Sequence, residues 1–184
     1  HQRNMLPEPV MRTDGTNRVY AWQVTDLSAR QYESYAPPMS KTMPFLRIGL
    51  ENFEIGDYNC SYENWKSYGN TMAKLMAGRD QLPASLATLV REKTAGLTTD
   101  REKIDVLYHL LQERTRYVGV QLGVGGWQPF SAEYVETNRF GDCKALSNYM
   151  GAMLSEVGVP SYPVLVDWND VSFLPVDESF TSPA

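Results

Sequence analysis

The chain has 184 residues, 42% of them hydrophobic and 21% charged, with 17 Lys+Arg against 22 Asp+Glu and a formal net charge of -5. That length suits one domain or one and a half, the apolar content excludes a disordered or low-complexity chain, and the acidic balance lacks the clustered basic face that nucleic acid as a partner requires. No apolar run approaches the ~18 residues of a membrane-spanning helix, the two cysteines cannot make a disulfide framework, and the two histidines stand too far apart for a histidine metal site.

Residues 1–16 are polar and carry Pro7, Pro9 and Gly15, which predicts a partly ordered lead-in. Residues 17–25 alternate, with Tyr20, Trp22 and Val24 on one side of a strand. Ala36-Pro37-Pro38 forces an extended break. The run from Phe45 to Leu50 predicts a second strand with Leu46, Ile48 and Leu50 on one face, and Gly56-Asp57 a turn. Residues 1–57 therefore read as a β-rich segment, too short for a domain of its own and expected to be the tail of an upstream one. Residues 58–184 form the second unit.

From Tyr62 the period becomes helical. Trp65, Tyr68, Met72, Leu75 and Met76 share a stripe that Gly78 ends. Leu82-Pro83 opens a helix with Leu86, Leu89 and Val90 inward, stopped by Gly96. Thr99-Asp-Arg-Glu102 is a capping box, and the helix it opens is expected to bury Ile104, Leu107, Tyr108 and Leu111. Tyr117–Val120 reads as extended, Gly123–Gly126 as a loop, and Ala132–Val135 as a short helical turn. Gly141-Asp-Cys-Lys144 opens the strongest helix, with Leu146, Tyr149, Met150, Met153, Leu154 and Val157 on its apolar side and Gly158 at its end. Pro160–Val166 then predicts a short apolar strand.

Cys143 is the foremost chemical candidate. It lies in the first turn of its helix, where unpaired amides and the helix dipole stabilise a thiolate and so favour a nucleophile. It stands three residues before Leu146, which places it on the buried stripe. Lys144 adds a neighbouring positive charge, Gly141 lets the backbone approach closely, and the Cys143 amide could donate to a developing oxyanion. The alternative is a small buried hydrophobe at a helix start. Cys60, in a polar turn with no base or cation pattern, is expected to be structurally incidental. His109 falls off the apolar stripe and reads as a surface residue, while His1 is terminal, so neither is placed as the base of a Cys143 nucleophile. The glycines of Tyr117–Pro129 lack the ending of a phosphate-binding loop. That segment is better read as a loop beside Cys143, with Gln121 or Gln128 as a candidate oxyanion donor and Trp127 as a candidate wall of the site, packing being the alternative for Trp127.

Arg116-Tyr-Val-Gly-Val120, Gly123-Val-Gly-Gly126, Pro129 and Gly141-Asp-Cys-Lys144, on a helix ending Val157-Gly-Val159 before a Pro-Val-Leu-Val strand, resemble the transglutaminase-like superfamily. The likeness is greatest to bacterial members with an N-terminal β-rich domain, and it covers residues 17–166. It implies an α+β, papain-like core, here incomplete, with helices packed on a small antiparallel sheet. It implies Cys143 as the nucleophile that forms a thioester with a peptide or protein amide, without metal or organic cofactor. The family's histidine and aspartate should follow the Pro163–Val166 strand, yet neither appears before Ala184, and Asp167, Asp170 and Asp177 are not assigned that role. The opening His-Gln-Arg-Asn-Met, without an initiator methionine, and the loop-like Asp177–Ala184 agree with a piece of a longer protein. That piece is expected to be inactive alone and to self-associate through an open sheet edge. A non-catalytic binding or scaffold module is the competing expectation, and the compartment, export included, stays open.

Overall fold

A computed structural model describes residues 2–31, 33–37 and 39–166; the expectations placed on His1, Pro38, Asp167, Asp170 and Asp177–Ala184 lie outside them. The front of the chain is a set of two-stranded pairings. β1 (Gln2–Asn4) is followed by β2 (Val10–Asp14) and β3 (Asn17–Ala21), which form an antiparallel hairpin around Gly15 at φ 58°. A one-turn α1 (Met39–Thr42) leads to β4 (Phe45–Arg47), which returns to pair antiparallel with β1. β5 (Asn52–Ile55) and β6 (Tyr58–Ser61) make a second hairpin, whose turn holds residue 57.

This segment is β-rich, but its strands are not those the alternation predicts. Residues 2–4 and 10–14 are strands rather than a lead-in. All five residues of β2 are exposed, so backbone pairing holds it and no apolar alternation marks it. β3 ends at Ala21, before Trp22 and Val24, and β4 ends at Arg47, leaving Ile48 and Leu50 exposed. Each ladder stops where its partner strand stops.

α2 (Trp65–Met76) starts from a reciprocal cap: Asn64 accepts from the Ser67 amide at 3.0 Å and the Ser67 hydroxyl accepts from the Asn64 amide at 2.9 Å. It packs on β6 through a ring cluster in which Tyr62 meets Phe53 edge-on at 4.5 Å and Tyr68 at 5.1 Å. α3 (Ala84–Thr94) and α4 (Asp100–Arg114) follow, then β7 (Arg116–Tyr117), a 3₁₀ turn at Gly123–Gly126, α5 (Ala132–Asn138), β8 (Phe140–Gly141) and α6 (Cys143–Glu156). The Thr99–Glu102 capping box forms as expected. The helices enclose one core, made by Leu86 and Val90 of α3, Leu107 and Leu110 of α4, Ala132 and Val135 of α5, and Ala145, Tyr149, Ala152, Met153 and Leu154 of α6.

Two inferences about this region need correction. α4 buries Leu107 and Leu110, while Ile104 and Tyr108 are exposed, because its inward face is turned toward α3 and α6 by the packing. Residues 160–166 form no strand, and Tyr162, Val164, Leu165 and Val166 are exposed. An apolar run becomes a strand only with a ladder partner, and no described strand pairs with it. The fold is thus α+β: helices with small antiparallel sheets and one short parallel pair, β7 with β8.

Candidate functional site

The parallel pair sets the site. Arg116 lies opposite Phe140 and Tyr117 opposite Gly141, and the Val118 amide donates to the Gly141 carbonyl at 2.9 Å. The segment that leads into the glycine-rich loop therefore runs beside the strand that leads into Cys143. Gly141 is bare because nothing larger fits: a Cβ there would stand 2.9 Å from the Ala145 Cβ and 3.3 Å from the Leu146 Cδ2. That close approach seats the start of α6 against β8.

Asp142 is the N-cap of α6. Its nearly buried carboxylate accepts from the Ala145 amide at 3.0 Å and forms an ion pair with Lys144. The Leu146 amide donates to the Asp142 carbonyl at 2.9 Å. The amides of Cys143 and Lys144 are left without a partner among the described residues, as the first turn of a helix dictates. The Lys144 charge thus answers the cap carboxylate rather than the thiol.

Cys143 itself is exposed, not part of the buried stripe. The inward side of α6 runs through Ala145, Tyr149, Ala152 and Met153. Cys143 stands roughly 160° around the helix from Ala145, and Leu146, its expected companion, is only half-buried. Gln121 is exposed in the loop after β7. Trp127 is half-buried and packs on Tyr62, ring centres 6.1 Å apart. Gln128 is buried and donates to the Tyr58 hydroxyl at 2.8 Å and to the Leu75 carbonyl at 3.0 Å, so its donor is committed to the β6–α2 unit. His109 is exposed on α4, its Nδ1 3.2 Å from Gln112 Oε1. Cys60 is buried in β6, with its thiol 3.4 Å from the Tyr58 carbonyl oxygen.

One polar cluster had no signal in the sequence. Glu136 of α5 pairs with Arg114, the last residue of α4, and with Arg139 at 2.8 Å, and it accepts from the Tyr149 hydroxyl of α6 at 2.6 Å. Burial disfavours charge on Glu136, but hydrogen bonds from Arg114 and Tyr149 and the charges of Arg114 and Arg139 together outweigh it, holding the carboxyl below its ordinary range. Burial, reinforced by Glu136, pushes the Tyr149 phenol up. Among the described residues no group of three or more His, Cys, Asp or Glu side chains is placed to hold a metal ion, and no helix is long and apolar enough to cross a membrane.

No protein-family model matches the chain, and no curated protein does. Among solved structures, a putative protease from Parabacteroides distasonis ATCC 8503 is similar over 85% of this chain, with a TM-score of 0.56 and 14% sequence identity. The match spans 28% of that protein's own chain. At that identity the likeness concerns the fold: most of this chain shares its α+β architecture with one section of a larger protein.

Proposed function

We propose that this chain carries the nucleophile of a transglutaminase-like cysteine hydrolase or acyltransferase acting on a peptide or protein amide. The observation that supports it is Cys143: an exposed thiol at the first residue of a capped helix, with two first-turn amides that have no partner among the described residues. In this reading the Cys143 thiolate attacks the carbonyl carbon and the electron pair moves to its oxygen. The amides at the α6 start take that oxyanion, with Gln121 as a further donor and Trp127 as a wall. Collapse expels the amine, which leaves with a proton, and a thioester remains. Water completes hydrolysis, or a second amine completes transfer. The likeness to a putative protease agrees with amide hydrolysis. Residues 58–184 are, in this proposal, the front of the catalytic core, and residues 1–57 the tail of a β-rich domain.

The base must come from elsewhere than the described histidine, since His109 is bonded to Gln112 on the α4 surface. The isolated 184 residues are therefore expected to give no thiol-dependent turnover of peptide amides or esters. In the longer parent protein that this reading requires, Cys143→Ala is expected to abolish such turnover. Turnover that survives the substitution would overturn the nucleophile role. The competing reading is a binding or scaffold module with this fold, and a parent protein without turnover but with retained peptide binding would support it.

A further inference from the structure

We infer that Glu136 is the positioning residue for Cys143: its carboxylate ties together the ends of the elements that deliver both strands of the β7–β8 pair and the helix that follows. This inference rests on the reading of Cys143 as nucleophile. Arg114 stands two residues before β7, and Arg139 stands immediately before β8. Both guanidinium groups converge on the one Glu136 carboxylate, whose side chain is 11% exposed. The backbone repeats the connection at the same place, with the Arg116 amide donating to the Arg139 carbonyl at 3.0 Å. The third partner, Tyr149, reaches Glu136 from the second turn of α6. A single charged group thus fixes α4, α5 and α6 where the chain turns toward Cys143.

Arg139 is itself held in a demanding conformation. It closes α5 in the left-handed region, at φ 62°, with its amide on the Val135 carbonyl at 2.8 Å. A non-glycine residue held there is strained, and its side chain makes the ion pair with Glu136 in that conformation. The bend it makes lies four residues before Cys143, and Gly141 between them admits no slack against Ala145. Movement of the bend therefore carries to the start of α6, where the orientation of the Cys143 and Lys144 amides decides how well they serve an anion.

The test measures iodoacetamide alkylation of Cys143 against pH, in the folded chain, for the unchanged protein and Glu136→Gln. Gln keeps the shape and removes the charge that both arginines answer. Glu136→Gln is expected to slow Cys143 alkylation roughly threefold or more near neutral pH, while Cys60 stays protected and the thermal unfolding stays cooperative. A lowered unfolding midpoint with an unchanged Cys143 pH profile would overturn the positioning role and leave Glu136 a purely structural group. Should Glu136→Gln fail to fold, Arg139→Met, at a half-exposed side chain, is expected to slow Cys143 in the same direction, and an unchanged rate there would equally overturn the inference. The nucleophile reading is judged apart, by the rate of the unchanged Cys143 against glutathione. A rate no faster than glutathione removes support from that reading, while the ratio of variant to unchanged chain still decides the role of Glu136.

Discussion

Gly141 and Cys143 show how much a single position can carry. A methyl group at Gly141 meets the Ala145 Cβ at 2.9 Å, with Leu146 and Val135 immediately behind it. The first two of these neighbours belong to the helix that has to start there, so relief requires α6 to shift. Gly141→Ala is expected to destabilise the chain by ~1–3 kcal/mol, read as a fall in the urea unfolding midpoint, with slower Cys143 alkylation if α6 moves. The two cysteines differ by burial: Cys60 is 4% exposed inside β6, and Cys143 lies at the surface. Iodoacetamide under native conditions is expected to place one label, on Cys143, and to reach Cys60 only on unfolding; mass spectrometry of tryptic peptides reads both. The place of Cys143 was legible in Gly141-Asp142-Cys143, since an Asp before a helical run announces an N-cap. Its exposure was not. The apolar stripe of α6 is broad enough to include Leu146, and the packing of α6 with α3, α4 and α5 buries the Ala145–Tyr149–Met153 side most fully.

At the level of elements, the signals that reached through the sequence are local ones. The α4 start is the clearest: the Thr99 hydroxyl accepts from the Glu102 amide at 3.3 Å, and the Glu102 carboxylate accepts from the Thr99 amide at 3.1 Å. The Thr99 hydroxyl also donates to the Glu102 carboxylate at 2.8 Å, and that bond first, then the one from the Thr99 amide, lowers the Glu102 pKa. Thr99→Ala is expected to cost about 1 kcal/mol of stability, seen in a urea melt as a lower midpoint at unchanged slope. Glycine stops were legible for the same reason: Gly78 and Gly158 sit at φ 71° and 74°, where a side chain is strained. The strands were poorly legible. β1 pairs with β4 across some forty residues, which no local pattern encodes, and Pro160–Val166 has the composition of a strand without a described partner. In α4 the helix was foreseen but its rotation was not, because Ile104, Leu107, Tyr108, Leu110 and Leu111 offer two overlapping apolar faces and the neighbours α3 and α6 choose between them.

Across the whole molecule, the groups that hold α4, α5 and α6 together are far apart in sequence, which is why composition and period never announce them. Arg114, Glu136 and Tyr149 come from three helices, and their meeting exists only once the core has formed. That meeting gives stability a pH dependence with a definite sign. In the folded chain the Glu136 carboxyl is held below its ordinary range, so the unfolded chain takes up the proton first as the medium is acidified. The contribution of Glu136 is therefore complete above the ordinary carboxylate range and fades as pH falls through that range toward the lower folded value. Tyr149 acts at the other end. Its phenol is pushed up by burial and by Glu136, so the unfolded chain loses that proton first as pH rises, and stability falls above the ordinary tyrosine range. Urea midpoints measured from acid to alkaline pH are expected to fall on both sides of neutrality for the unchanged chain. Glu136→Gln should flatten the acid side, because the group that titrates is gone, while lowering the plateau. Tyr149→Phe should make the alkaline side shallower, with Tyr62 and Tyr68, whose phenols burial also pushes up, carrying the rest, and leave most of the acid slope, since Arg114 and Arg139 still hold the carboxylate charged. Equal acid slopes in the unchanged chain and in Glu136→Gln would show that other carboxylates govern acid unfolding and that this cluster does not.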